Sequence, residues 1–138
     1  MIECLNQSER ARLELLRLTQ PFIGDAIHQL ERILESPRFT RVHPKTRDFL
    51  GFIVSKTLIG YSSQIKEMTI AIRVFRESVD FEPLESSKVR VAALALRRRL
   101  AAYYAAEGAT DPIEILMPIG TYVPWIRYRK AVGISGPD

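Results

Sequence analysis

Basic side chains are the residues whose type and spacing most clearly suggest chemistry in this chain, and they cluster toward its C-terminal end. Residues 1–87 hold 12 Lys/Arg and 12 Asp/Glu, whereas residues 88–130 hold 8 Lys/Arg and 3 acidic residues, a local balance of +5. Concentrated positive charge attracts polyanions, of which nucleic acid is the most common. The distribution predicts a nucleic-acid surface, and a solvated basic face is the simpler alternative.

Acidic residues between positions 67 and 85 are the second group that could do chemistry, as paired carboxylates. They are Glu67, Glu77, Asp80, Glu82 and Glu85. No histidine, glycine-rich phosphate loop or metal-ligand spacing accompanies them. A single cysteine and two histidines also argue against a structural zinc site. We therefore expect no enzyme activity, no cofactor and no bound metal.

Five of these eight basic residues fall on a predicted helix over 86–107, and the other three follow it. Apolar residues spaced by three and four share one face of this helix, namely Val89, Ala93, Leu96, Leu100 and Tyr103. Ser86 or Ser87 is expected to cap its start. Gly108 is expected to end it in the left-handed conformation. The apolar face should dock on a small core while the arginines point outward.

A β-hairpin over 113–127 is predicted after the long helix. In its first strand, over 113–117, Ile113, Ile115 and Met117 alternate with Glu114 and Leu116. Its turn lies at 118–120, and its second strand runs over 121–127. Four earlier helices are predicted at 8–19, 22–36, 44–59 and 63–75. The fold class is therefore mainly α with a C-terminal β-hairpin.

An acidic segment over 76–85 reads as a loop, in which Phe81 and Leu84 are expected to hold the chain against the core. The domain organisation follows from these elements. We expect an N-terminal helical extension over 1–21, one domain over 22–130 and a flexible tail over 131–138.

The order helix, helix, long basic helix and hairpin is typical of a winged helix-turn-helix. In that architecture the third helix enters the major groove of DNA and the hairpin lies on the sugar-phosphate backbone. The excess positive charge of residues 88–130 lies on this helix and at the end of the hairpin.

Five segments resemble one known family. They read ILESPRF (33–39), IKEMTIAIRVF (65–75), DFEP (80–83), VRVAALALRRRLAAYY (89–104) and ILMPIGTYVP (115–124). The chain resembles OmpR/PhoB-like winged helix-turn-helix domains. It is most similar to the bacterial winged-helix domain found at the N-terminus of cyclase and tetratricopeptide signalling proteins. The resemblance covers about residues 30–127 and implies a DNA-binding regulator.

Three positions depart from the family pattern. Ala95 stands where an arginine is common, Leu94 where a glycine is common, and Ile119 where the wing commonly carries a lysine. Ala95 and Ile119 therefore remove two plausible contacts to phosphate or bases. Leu94 and Val91 place apolar surface where DNA should lie, and such groups can touch thymine methyls or another protein.

The residues expected to bind DNA lie on the long helix or beside the hairpin. They are Ser87, Lys88, Arg90, Val91, Leu94, Arg97, Arg98, Arg127, Arg129 and Lys130. The alternative is a protein-interaction module that binds a partner through Val91, Leu94 and Ile119.

Two further expectations concern the surroundings of the chain. The N-terminal helices are expected either to pack on the core or to form a homodimer interface. No apolar run approaches the roughly 20 residues that span a bilayer. The acidic Glu3 also does not suit a signal peptide. We therefore expect a cytoplasmic protein without a membrane partner.

Overall fold

A computed structural model describes residues 4–129, and this part of the chain is mainly helical. Its elements are Gln7–Thr19 (α1), Pro21–Glu35 (α2), Pro37–Thr40 (α3), Pro44–Leu58 (α4), Glu67–Arg73 (α5), Lys88–Ala105 (α6), Ile113–Leu116 (β1) and Trp125–Tyr128 (β2). The predicted class, mainly α with a C-terminal hairpin, is confirmed. Lys130 and the predicted tail 131–138 lie outside the described residues. Within 4–129, no helix is both long and apolar enough to cross a membrane.

Helix α4 lies in the middle of the core. It starts with Pro44, whose missing N–H costs nothing in a first helical turn, and Gly60 follows its end with a φ of +90°. Phe49, Phe52 and Ile53 on this helix are completely buried. Because apolar side chains surround most of the helix, it contacts both α2 and α6.

The predicted apolar face of α2 packs into this core. Ala26, Ile27, Leu30 and Ile33 are all buried. Of the two arrangements expected for the N-terminal helices, packing on the core therefore accounts for α2. On α1, Leu15 is 61% exposed and Leu18 is 70% exposed.

A buried ion cluster joins α1 to α4 and α5. The Lys56 side chain is fully buried, and its Nζ lies 2.6 Å from Oε2 of Glu9. The second carboxylate oxygen of Glu9 accepts from Arg73 at 2.5 Å, and Arg73 also donates to the carbonyl of Cys4 at 2.7 Å. Glu9 additionally completes a capping box with Asn6 at the start of α1. The cluster therefore fixes the N-terminal helix on the domain.

The hairpin differs from its prediction. β1 and β2 pair antiparallel, with Leu116 opposite Trp125 and Ile113 opposite Tyr128. The predicted turn at 118–120 lies within a longer connecting loop over 117–124, in which residues 119 and 120 form the turn. The predicted strand over 121–127 begins too early, since only its residues 125–127 are paired. Pro124 has no N–H to donate to a ladder, so pairing begins only after it.

Two other local predictions are wrong. Leu84 is 95% exposed and does not hold the 76–85 loop, whereas Phe81 is buried as expected. Gly108 is not among the described glycines with positive φ. Glycine is needed at position 108 because of the space available, since a Cβ there would clash with Cε2 of the buried Tyr103 ring.

Gly108→Ala is therefore expected to destabilise the fold by about 1–3 kcal/mol, since the Tyr103 ring must leave its place to admit a methyl group. Urea denaturation gives the free energy of unfolding. In a Tyr103→Leu background the ring is absent, and the same change should cost less than half as much. An equal cost in both backgrounds would show that the ring contact is not the cause.

Candidate functional site

One side of α6 faces away from the core and is exposed along the helix. We call it the outer face of α6, and it consists of Val91, Leu94, Ala95, Arg98, Ala101 and Ala105. Val91 is 61% exposed and Leu94 is 46% exposed. The opposite side is the predicted apolar stripe, which is buried from Val89 to Tyr103. The helix has 18 residues, five of them cations and none a carboxylate.

The first turn of α6 carries two of these cations, and both are paired. Lys88 forms an ion pair with Glu77, and Arg90 forms one with Glu67 at 2.9 Å. Arg90 also donates to the carbonyl oxygen of Pro83 at 3.0 Å. Ser86, rather than Ser87, supplies the side-chain oxygen near the start, accepting from the Lys88 N–H at 3.3 Å. The structure thus places carboxylates beside the two cations expected to approach DNA first.

Arg97 positions the loop between the strands. Its guanidinium donates to the carbonyl oxygens of Pro118 at 3.3 Å and Thr121 at 3.1 Å. These contacts hold the 117–124 loop against the flank of α6. Ile119 projects from this loop with 92% of its surface exposed, and Gly120 follows it with a φ of +93°. Arg97 is therefore primarily a positioning residue.

Arg98 differs from the other predicted contact residues on α6. It lies on the outer face between Leu94 and Ala101 and is exposed. Within residues 4–129 its side chain makes neither a hydrogen bond nor an ion pair. Its charge is therefore available to a ligand without the loss of an internal contact.

The cations of the hairpin are not assembled with the outer face. Arg127 pairs with Glu114 at 3.0 Å and lies over the Trp125 ring, 5.1 Å from its centroid. It lines a groove with Phe22 and Leu58, which belong to α2 and α4. Arg129 instead donates to the carbonyl of Gly108 at 2.8 Å. Lys130 lies outside the described residues.

Two adjacent tyrosines at the end of α6 fix the helix to its neighbours, and their role was not predicted. Tyr103 donates to the carboxylate of the buried Asp111, which also accepts from Gln29 on α2 at 2.7 Å. The hydroxyl of Tyr104 donates to the carbonyl of Ile113 at 2.8 Å and accepts from Ile115 N–H at 2.9 Å. α6 is thereby tied to α2 and to β1.

Burial affects the ionisation of both phenols. It raises the pKa of Tyr103, and the adjacent Asp111 carboxylate raises it further. Burial also raises the pKa of Tyr104, to about 12. Both hydroxyls therefore remain protonated and act as hydrogen-bond donors at neutral pH.

Comparison of the chain with family models, with curated proteins and with solved structures found no match. The resemblance to OmpR/PhoB-like domains therefore stays a prediction from sequence.

Proposed function

We propose that this protein is a winged helix-turn-helix transcriptional regulator that binds double-stranded DNA through the outer face of α6. One observation carries the proposal: the outer face of α6 is exposed along the helix and carries Arg98, and the helix contains no carboxylate. An α-helix of this kind fits the major groove of B-form DNA. The order of α4, α5, α6 and the hairpin matches that of a winged helix.

The contacts available at the outer face favour phosphate over base recognition. Arg98 is the nearest cation to its centre, and Val91 and Leu94 can touch only thymine methyl groups among the base edges. Phosphate contacts set position and affinity, whereas polar base contacts set sequence preference. We therefore expect salt-sensitive binding with little sequence preference.

The ion pairs in the first turn of α6 do not prevent such binding. The side chains of Lys88 and Arg90 are 47% and 48% exposed within their pairs. Exposed ion pairs contribute about 0–1 kcal/mol to stability. The Glu77 and Glu67 carboxylates nevertheless compete with DNA phosphate for Lys88 and Arg90, so in the wild type we expect binding to rest mainly on Arg98.

Arg98→Ala is expected to weaken binding to a random-sequence duplex and to reduce the salt dependence by about 0.9 in log–log slope, the value of one phosphate contact. Fluorescence anisotropy across a salt series measures both. Arg17→Ala is the matched control, because Arg17 is an exposed arginine on α1 paired with Glu14. Equal losses in both variants would contradict a contact at the outer face.

A protein-interaction module is the second candidate, favoured by three exposed apolar side chains. Val91 is 61% exposed, Leu94 46% and Ile119 92%. Apolar surface grouped near one helix face is typical of protein contacts. With this chain alone, the partner that can be tested is a second copy.

Leu94→Asp discriminates between the two candidates. If the outer face is a contact between copies, sedimentation velocity should show a wild-type dimer and a Leu94→Asp monomer. Leu18→Asp is the control, because it alters an exposed leucine of α1. Dissociation by Leu18→Asp alone would instead support the predicted dimer through the N-terminal helices. A monomeric wild type whose DNA binding is only modestly reduced by Leu94→Asp would leave the DNA proposal standing.

A further inference from the structure

An open cavity of about 550 Å³ lies between α3, the start of α4 and the second half of α6. Its polar lining consists of Arg38, Arg41, His43, Thr46, Arg99 and Glu107. None of these residues belongs to the outer face of α6. The volume is in the range of pockets that bind small molecules.

The cavity has an excess of positive charge. Its single acidic residue, Glu107, is held by Arg38 through two parallel hydrogen bonds, from Nε at 3.0 Å and from Nη2 at 2.8 Å. The opposite charges of Arg38 and Glu107 therefore cancel. Arg41 and Arg99 then leave a balance of two positive charges facing the cavity.

Four side chains, Arg41, His43, Thr46 and Arg99, offer hydrogen-bond donors to the cavity. Arg99 uses one N–H to donate to the carbonyl of Arg38 at 2.9 Å, and its guanidinium retains others. Arg41 is exposed and makes no ion pair within residues 4–129. His43 accepts from the Lys45 N–H through Nδ1 at 3.1 Å, which leaves the Nε2 N–H of the ring as a donor. Thr46 adds a hydroxyl.

We propose that this cavity binds a small soluble molecule through a phosphate group. Arg41 and Arg99 hold the phosphate oxygens, because planar guanidinium groups match phosphate geometry and charge. His43 and Thr46 supply further donors. A dianion is favoured over a single carboxylate, since two cations remain uncompensated. The volume beyond the phosphate accommodates the rest of the ligand.

The test is isothermal titration calorimetry of the full chain with inorganic pyrophosphate at low ionic strength. We expect binding at one site per chain, weakened about tenfold or more by Arg41→Ala and by Arg99→Ala, as is typical for loss of a charge-assisted hydrogen bond. Arg41 makes no ion pair with any residue of 4–129, so its variant separates ligand binding from folding. Arg17→Ala removes the same charge at a position that does not line the cavity and should leave the affinity unchanged.

Two results would overturn the proposal. One is no binding of pyrophosphate, and the other is weak binding at several sites that Arg17→Ala reduces as much as Arg41→Ala does. Repeating the DNA titration with Arg41→Ala shows whether the cavity binds the phosphate of a small molecule or that of DNA. If that variant loses DNA affinity while pyrophosphate does not bind, the cavity belongs to a nucleic-acid surface and not to a small-molecule site. The calorimetric result does not depend on whether α6 binds DNA.

Discussion

Glu9→Ala is expected to lower the free energy of unfolding by about 3–5 kcal/mol, the usual cost of removing one partner from a buried ion pair. The Lys56 ammonium is fully buried, and Glu9 is its charged partner at 2.6 Å. After the change, Gln64 remains its hydrogen-bond acceptor among the described residues. A neutral amide cannot offset the desolvation of an ammonium group, so the folded state is penalised.

Glu14→Ala is the matched control for this prediction. Glu14 lies on the same helix as Glu9 and pairs with Arg17, but both side chains are about half exposed. Loss of an exposed pair has little effect on stability because water screens its charges, so this change should cost far less than Glu9→Ala. Urea denaturation at pH 7 compares the two variants, and equal losses would refute the importance of burial.

The same cluster predicts a dependence of stability on pH. Burial alone would raise the pKa of Glu9, but hydrogen bonds from Arg73, Lys56 and the Asn6 N–H outweigh it and lower the pKa from 4.5 to about 2. The ionised carboxylate is thus favoured by the folded state. Its contribution is complete above the unfolded pKa and is lost as pH falls from about 4.5 toward 2.

A Glu9→Gln variant tests the direction of this pH dependence of stability. Its free energy of unfolding should be lower than that of the wild type at pH 7, and the difference should shrink as pH falls through the window from 4.5 to 2. Denaturant curves at several pH values measure the difference. Parallel stability profiles for the two proteins would contradict the assignment to Glu9.

The double variant Glu67→Gln/Glu77→Gln is expected to bind duplex DNA more tightly than the wild type. These carboxylates pair with Arg90 and Lys88 in the first turn of α6. Removing them frees two cations for phosphate, which should steepen the log–log salt slope by about 1.8. The affinity at low salt should rise about tenfold or more, in line with that slope.

A gain of binding is diagnostic, because damage to the fold would produce a loss. Glu14→Gln/Glu31→Gln is the control, since it raises the net charge by the same +2 beside Arg17. Anisotropy with the same duplex compares the two variants. Equal gains would show a general effect of net charge rather than release of the α6 cations.

Periodicity predicted the helices because burial of one face repeats with the helical period. The stripe from Val89 to Leu100 and the apolar helix α4 are buried as expected. The second strand was predicted to begin at 121 instead of 125, because residues 121–123 have strand-forming side chains but pair with no strand within 4–129. Residue type indicates a preference for extended structure, whereas pairing depends on backbone geometry and on Pro124.

The partners of the basic residues were not predictable in the same way. Arg90 and Glu67 are 23 positions apart, and Glu9 and Lys56 are 47 apart. No periodic pattern joins such pairs, because they come together only when helices pack. The one local signal was Lys56 itself, a lysine that closely follows the apolar run over 49–54 of α4, which a buried counter-ion explains.

Binding of the wild-type protein to a random-sequence duplex, measured by fluorescence anisotropy from low to physiological salt, tests the DNA proposal most directly. The account predicts saturable binding at low salt that weakens steeply as salt rises, with a shallower slope for Arg98→Ala and a steeper one for Glu67→Gln/Glu77→Gln. Absence of binding at the lowest salt would contradict a DNA-binding role for α6.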